Sequence, residues 1–329
     1  MAGAGGPSWA FVAARAGLVG HPSDGFGGAT LSVTIENFRA EVGAHAAPAL
    51  DIAPDGNGQW PEGGLPLVTA AIERFAQHCT TVGAPFDPRV RIRYRSTIPR
   101  QVGLGGSSAI VIATLRALGS LAGVELTAQR LPALALAVET EGLGIAAGLQ
   151  DRVVQTYGGL VFMDFDPAHV AEHGRGRYEP LPAELLPPLF LAWRPDAGTS
   201  SGAAHADVRT RFAQGERRIV NAMSTLARLA HEARSALLTG DRDAFAAALD
   251  AGYDVRASIY ELDPHHAVMV DKARALGLSA TYTGSGGAIV GIASDADALR
   301  ALERELSAVG VRVEPALVGR GGSTPSAGS

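Results

Sequence analysis

One cysteine, Cys79, and one lysine, Lys272, stand in a chain of 329 residues. A lone cysteine excludes an intramolecular disulfide, and its place after Phe75-Ala76-Gln77-His78 in a helical pattern reads as core packing. The shortage of lysine, one among 28 basic residues, goes with abundant alanine and glycine and is a compositional bias without mechanistic content. Positive charge is not in surplus either. The net charge is −5, and no dense basic face offers itself to a nucleic acid. No basic segment followed by an apolar one opens the chain, so no secretory leader is read there. No apolar run reaches the ~20 residues that span a bilayer. The expectation is a soluble, cytoplasmic protein with no nucleic-acid or membrane partner.

What is present suits a globular enzyme: 47% hydrophobic and 19% charged residues, in a chain long enough for one large core or two modest ones. Residues 1–8 and 319–329 are rich in Gly, Ser, Pro and Ala without apolar periodicity, and disorder is expected in both. Between them there is no internal repeat and no long low-complexity linker. Strands are expected at 10–20, across 29–43 as one or two, and over 90–95, where Val90, Ile92 and Tyr94 alternate with Arg91, Arg93 and Arg95. That alternation reads as a half-buried strand with a solvated basic face. Helices are expected at 65–80, 107–122, 131–140 and 150–157, then strands at 160–165 and 189–193. From 206 the pattern changes to long helices, about 207–238, 241–257 and 264–276. Strands at 280–283, 288–293 and 311–318 follow, with a helix over 295–309 between the last two. Strands then helices, without regular alternation, predict an α+β protein of two lobes meeting near residue 195.

Four constellations carry chemistry. The first is Pro99-Arg100-Gln101-Val102-Gly103-Leu104-Gly105-Gly106-Ser107-Ser108-Ala109. A glycine turn that opens a helix aims backbone N–H groups and a helix N-terminus at one spot, which suits phosphate. It lacks the Gly-Lys-Ser/Thr ending of a P-loop and the third glycine of the dinucleotide fingerprint. A structural connector is the plainer reading, and the doubled serine favours the functional one, since a hydroxyl can reach Mg²⁺ or phosphate. The second is Glu139 with Asp151. Magnesium takes carboxylate and phosphate oxygens, and a carboxylate can orient or deprotonate an attacking hydroxyl; a surface or capping role is the alternative for each. The third is Thr283-Gly284-Ser285-Gly286-Gly287-Ala288, either a tight hairpin or a second phosphate-facing loop. The fourth is Arg15 with His21, Ser23 and Asp24, a polar cluster that can bind a sugar or merely form a turn. His265-His266 beside Pro264 has no spaced partners and reads as a helix start.

Taken together and in this order, an Arg-bearing first strand and loop, a central Pro-x3-Gly-Leu-Gly turn into Ser-Ser-Ala and a late Thr-Gly-x-Gly-Gly, the motifs resemble those of the GHMP small-molecule kinases. Within that family the likeness is greatest to its glucuronokinase branch. It is carried by Ala14-Arg15-Ala16-Gly17-Leu18-Val19-Gly20, Ile98-Pro99-Arg100-Gln101, Ala147-Gly148-Leu149-Gln150-Asp151-Arg152-Val153, Tyr157-Gly158-Gly159-Leu160-Val161 and Met163-Asp164-Phe165. It covers about residues 11–293, densely to Asp166. Gly106 stands where the family has a serine, so either Ser107 or Ser108 can be the metal-proximal one. His21 stands where asparagine is expected. Residues 44–65 are shorter than in plant members, so no adenine contact carries over.

The resemblance implies a two-lobed α+β fold: a mixed-sheet lobe like domain 2 of ribosomal protein S5 over 9–194 and a ferredoxin-like lobe over 195–318. It implies a phosphotransferase using ATP and Mg²⁺. Asp151 falls at the catalytic aspartate, Arg15 at its basic partner, and Glu139 at the magnesium-binding glutamate. Arg15 would hold Asp151 ionised and offset transition-state charge. Pro99, Gly103, Leu104, Gly105, Gly106, Ser107, Ser108 and Ala109, with Gly284, Ser285 and Gly286, would hold the nucleotide. Ser107 or Ser108 would join Glu139 on the metal. His21, Ser23, Asp24, Arg100 and Arg152 would meet the substrate, with Arg100 or Arg152 as the guanidinium for a uronic-acid carboxylate. The implied reaction is phosphorylation of the anomeric hydroxyl of D-glucuronate by a monomer or homodimer. Alternatives are a kinase of another sugar or polyol (galactokinase-like or heptose kinase-like), a non-catalytic sugar and ATP sensor, and a decarboxylase of the same family.

Overall fold

The structure, a computed structural model, describes residues 6–55, 64–195, 202–293 and 295–321. The expected disordered ends therefore lie outside the described residues at 1–5 and 322–329, as do residues 56–63 of the shortened region.

The first sheet is built on a long antiparallel pair. β1 (Ser8–Val19) runs against β2 (Ala29–Ala46), from Ser8 opposite Ala44 to Val19 opposite Leu31. At 18 residues β2 is a single strand, and it is long enough to hold two partners on its other edge. β3 (Asp51–Pro54) lies parallel to β4 (Val90–Ser96), β4 pairs with Ala40–Ala46, and β5 (Leu160–Asp164) pairs with Ala29–Val33. β6 (Arg177–Leu181) completes the sheet beside β5. The arginines of β4 lie on the outer face that their alternation predicts, and there they are paired, Arg91 and Arg93 with Asp51 and Arg95 with Glu41. The second sheet has the order β10-β7-β9-β8, from β7 (Leu189–Trp193), β8 (Ala280–Tyr282), β9 (Ala288–Ile292) and β10 (Arg312–Pro315). Numbered among themselves these strands read 4-1-3-2, the split βαβ order of a ferredoxin-like lobe.

Ten helices are formed by the described residues: α1 (Gly64–Val82), α2 (Gly106–Ala122), α3 (Leu131–Ala137), α4 (Gln150–Tyr157), α5 (Pro167–His173), α6 (Gly202–Ala213), α7 (Arg217–Thr239), α8 (Arg242–Ile259), α9 (Pro264–Ala275) and α10 (Ala296–Ser307). α2 is apolar nearly all round and is buried accordingly, with Ala109 to Leu115 inside the core. Cys79 is buried on α1. Among the described residues no helix is long and apolar enough to cross a membrane.

Several boundaries differ from the sequence reading. The helix expected over 207–238 is two, because Gly215 takes φ +73° and the N–H groups of Gly215 and Glu216 turn back onto Phe212 O and Arg211 O. β7 belongs to the second sheet, so a boundary at 195 falls after that sheet's first strand, not before it. The strand expected over 311–318 shortens to Arg312–Pro315, and Val318 instead bridges to Ile35 of the first sheet. Of the expected tail, Gly319 is held by donating its N–H to Thr34 O. β3, β6 and α5 carried no signal strong enough to be expected. The two sheets are tied where β2 bulges at residues 36–38: Asn37 donates to Pro315 O and accepts from Leu317 N–H, and Phe38 packs edge-on against Trp193.

Candidate active site

The glycine turn follows β4 and sits where the two sheets meet. Gly103 and Gly105 adopt φ +75° and +73°, which ordinary residues avoid. A Cβ on Gly103 would stand 2.8 Å from Ser285 N, so the turn and the Thr283 loop are in backbone contact. Thr283 Oγ1 seals that contact by donating to Gly103 O at 2.8 Å. The Thr283 loop is the β8–β9 hairpin, and through Gly284 and Ser285 it is also a wall of the cavity. α2 begins at Gly106, where the first helical N–H groups have no partner within the helix. Ser107 is exposed on the wall of a cavity of about 740 Å³. Ser108 is not: it is fully buried, with its hydroxyl 2.6 Å from Gln155 Oε1, to which it donates. The Ala109 N–H is likewise spent on Gly105 O, which takes this residue off the anion-facing turn.

Arg15, near the middle of β1, joins the parts. Its Nε and Nη2 donate to the two oxygens of Asp151 at 2.6 and 2.7 Å, a bidentate pair. Its Nη1 donates to Gly103 O and Thr283 O at 2.6 and 2.8 Å. The β1 backbone repeats the connection, with Arg15 N–H on Leu104 O and Gly17 N–H on Thr283 O. Asp151, in the first turn of α4, keeps 21% of its side chain accessible and faces the cavity.

Behind Asp151 lies a second pair. Arg152 donates through Nε to Glu139 Oε2 at 2.9 Å, closes on the same oxygen through Nη2, and gives Nη1 to Gly148 O. Burial pulls the Arg152 guanidinium down, but the charges of Glu139 and Asp151 outweigh that and hold it above its usual value. These bonds engage all three nitrogens and neutralise the guanidinium, although Arg152 still lines the cavity and keeps one further N–H on each terminal nitrogen. Glu139 sits in a π-helical turn, Val138–Gly142, that continues α3. It is fully buried and lines the cavity, and its Oε1 has no hydrogen-bond partner.

The loop after β1 is mixed in outcome. Asp24 lines the cavity, accepts from Gln150 N–H at 3.3 Å, and is pushed up from 3.8 to about 6 by burial and then by the Asp151 charge. His21 lines it too, donating Nε2–H to Tyr282 O at 2.8 Å. Ser23 does not: it is fully buried and its hydroxyl donates to Ala29 O, holding the loop together. Pro99, Leu104, Gly106, Gly284 and Ser285 lie on the wall, and Arg100 is exposed at its rim. Gly286 is off the wall, buried against His266, so only the first half of the Thr-Gly-Ser-Gly-Gly loop faces the cavity.

Several wall residues had no counterpart in the sequence reading, among them two arginines, the exposed Arg209 and the buried Arg256. Arg256 of α8 is buried, lines the cavity, and donates Nη2–H to Gly284 O at 2.6 Å. A signal existed: Leu249, Gly252, Tyr253, Arg256 and Ile259 follow helical spacing, so the arginine lies on the buried stripe of its helix.

The family model described as GHMP kinases N terminal domain matches residues 66–159, and that described as GHMP kinases C terminal matches residues 233–312. The chain is 35% identical over 328 residues to glucuronokinase 1 of Arabidopsis thaliana, covering 92% of this chain and 90% of that one. It is 36% identical over 329 residues to probable glucuronokinase 2 of the same plant, covering 92% and 89%. In fold it is similar to the galactokinase of Lactococcus lactis complexed with galactose, with a TM-score of 0.79, 15% identity and coverage of 96% and 95%.

Proposed function

This chain belongs to the GHMP kinases, and from that premise we propose that it transfers the γ-phosphoryl group of ATP to the anomeric hydroxyl of D-glucuronate, giving glucuronate 1-phosphate and ADP. The observation that carries the reaction is Arg15, bonded at once to Asp151, to the glycine turn and to the Thr283 loop. A carboxylate and a phosphate cradle held on one side chain are the two halves of a phosphoryl transfer. The acceptor is taken from the end-to-end likeness to the two glucuronokinases.

Each residue then has a task. The turn at Gly103–Gly106 and the α2 N-terminus offer N–H groups to the phosphates. Asp151, fixed by two charge-assisted bonds, accepts the hydrogen of the attacking hydroxyl and takes its proton as the new O–P bond forms and ADP leaves. Arg15 keeps that carboxylate in register and adds positive charge beside the transferring group. With a loose transition state, this positioning matters more than base strength. Asp24 and His21 stand on the same wall for the sugar.

A divalent cation suits this donor set, because Glu139 Oε1 is a buried hard oxygen with no partner and Ser107 offers a hydroxyl at the same cavity. Glu139 and Ser107 would hold Mg²⁺, which when bound neutralises phosphate charge.

An assay of ADP release over uronic acids and neutral hexoses, with the product placed by ³¹P NMR, tests the proposal. Turnover of D-glucuronate to an anomeric phosphate is expected, and Asp151→Asn should lower kcat by at least about 100-fold with nucleotide binding retained. Good turnover of a neutral sugar with none of glucuronate sinks the acceptor; an unchanged kcat in the variant sinks the role of Asp151.

A further inference from the structure

Two of the arginines on the cavity wall are neutralised within the protein, Arg15 by Asp151 and Arg152 by Glu139. Arg256 is not. It is 4% exposed, and apart from the bond of Nη2 to Gly284 O its Nε and Nη1 are shielded from solvent with no hydrogen-bond partner. No described carboxylate forms an ion pair with it. Its surroundings are the Tyr282 ring, 5.8 Å from its guanidinium carbon, the phenols of Tyr260 and Tyr253, and the like charge of Arg15. A buried cation without an anion is costly. On the wall of a ligand cavity, that cost is offset when the ligand brings the negative charge.

The position of Arg256 decides which anion. The triphosphate has its donors in the glycine turn and the α2 N-terminus. Arg256 stacks on Tyr282, whose carbonyl takes the His21 N–H, and it shares Tyr260 as an electrostatic neighbour with Asp24. It therefore stands between the Gly284 loop and the His21–Asp24 side of the cavity. Resting on the kinase reading above, we propose that Arg256 reads the carboxylate of an acidic sugar and sets the preference of this site for uronic acids over neutral hexoses. A guanidinium matches a carboxylate with directed N–H donors, which neutral hydroxymethyl groups cannot reciprocate.

The test uses the full chain with ATP and Mg²⁺ and two matched pairs, D-glucuronate with D-glucose and D-galacturonate with D-galactose. The unsubstituted protein should favour an acid over its neutral partner. In Arg256→Gln the acid-to-neutral ratio of kcat/KM should fall about 100-fold, mainly through the KM of the acid. Arg256→Lys should fall in between, and it answers the question if the Gln variant does not fold, since Gly284 O then loses its donor. Thermal shifts induced by the acids should shrink in parallel. An unchanged ratio overturns the proposal. So does an equal loss for acid and neutral sugar with a raised KM for ATP, which would assign Arg256 to phosphate, and so does an unsubstituted protein without acid preference. The reading of glucuronate as acceptor fails separately: a protein that takes galacturonate and not glucuronate removes that acceptor and leaves Arg256 standing.

Discussion

A rotation of about 100° per helical residue separates Ser107 from Ser108, and it sends one hydroxyl to the cavity and the other to Gln155 Oε1. The two alanine substitutions should therefore part company. Ser107→Ala should raise the Mg²⁺ concentration needed for half-maximal rate several-fold with an unchanged melting temperature. Ser108→Ala should cost about 1–3 kcal/mol of stability, because a buried acceptor on Gln155 loses its donor. Denaturant unfolding beside a Mg²⁺ titration checks both, and interchanged effects would reverse the assignment. Asp24 supplies a pH-dependent counterpart. Its folded value, about 6, lies above the unfolded 3.8, so folding favours the protonated form. That contribution is complete below pH 3.8 and is lost as pH rises through 6. Asp24→Asn should raise the melting temperature of the nucleotide-free protein by a few degrees at about pH 8 and change it little at about pH 3.5, below both values. An equal shift at both pH values would mean that charge is not the cause.

At the scale of elements, the glycines divide by what surrounds them. Gly123 ends α2 at φ +65° with open space where a Cβ would go, so Gly123→Ala should cost only the backbone strain of about 1–2 kcal/mol. Gly103 has a similar φ, but its Cβ would meet Ser285 N at 2.8 Å and Gly284 C at 3.2 Å, backbone that cannot swing aside. Gly103→Ala should part the two loops and weaken ATP binding at least about tenfold, which is about 1.4 kcal/mol. Nucleotide titration with both variants measures this, and equal affinity would show that the loops need not touch. Local signals located such elements well. Apolar periodicity marked α1, α2 and α4 because each has one dominant packing surface or is buried throughout. It ran α6 and α7 together because the break is a single glycine in an otherwise continuous helical pattern. It missed β3 and β6, short strands at the margin of the first sheet where few side chains are buried.

For the whole molecule, the sheets are separate but the core is not. Apolar residues of β1, β2, α2, α7, α8 and β9 belong to one buried cluster, and the β2 bulge is bonded to the chain after β10. Heat unfolding should then give one calorimetric transition with matching calorimetric and van't Hoff enthalpies, and two resolved peaks would show that the sheets melt independently. The candidate site is built across this union, since Arg15 bonds to residues 88, 136 and 268 positions away along the chain.

The sequence by itself determined what local rules can express. A glycine-rich turn followed by two serines, and the order of three motifs, identify a GHMP kinase scaffold, because each motif is a pattern of neighbours within a few residues. Tertiary structure alone decided which charges meet. It spent Arg152 on Glu139, turned Ser23 and Ser108 inward, and brought Arg256, from a helix that looked unremarkable, to the cavity wall without an acid beside it. Charge pairing acts through space between residues distant in the chain, so no pattern along the chain records it.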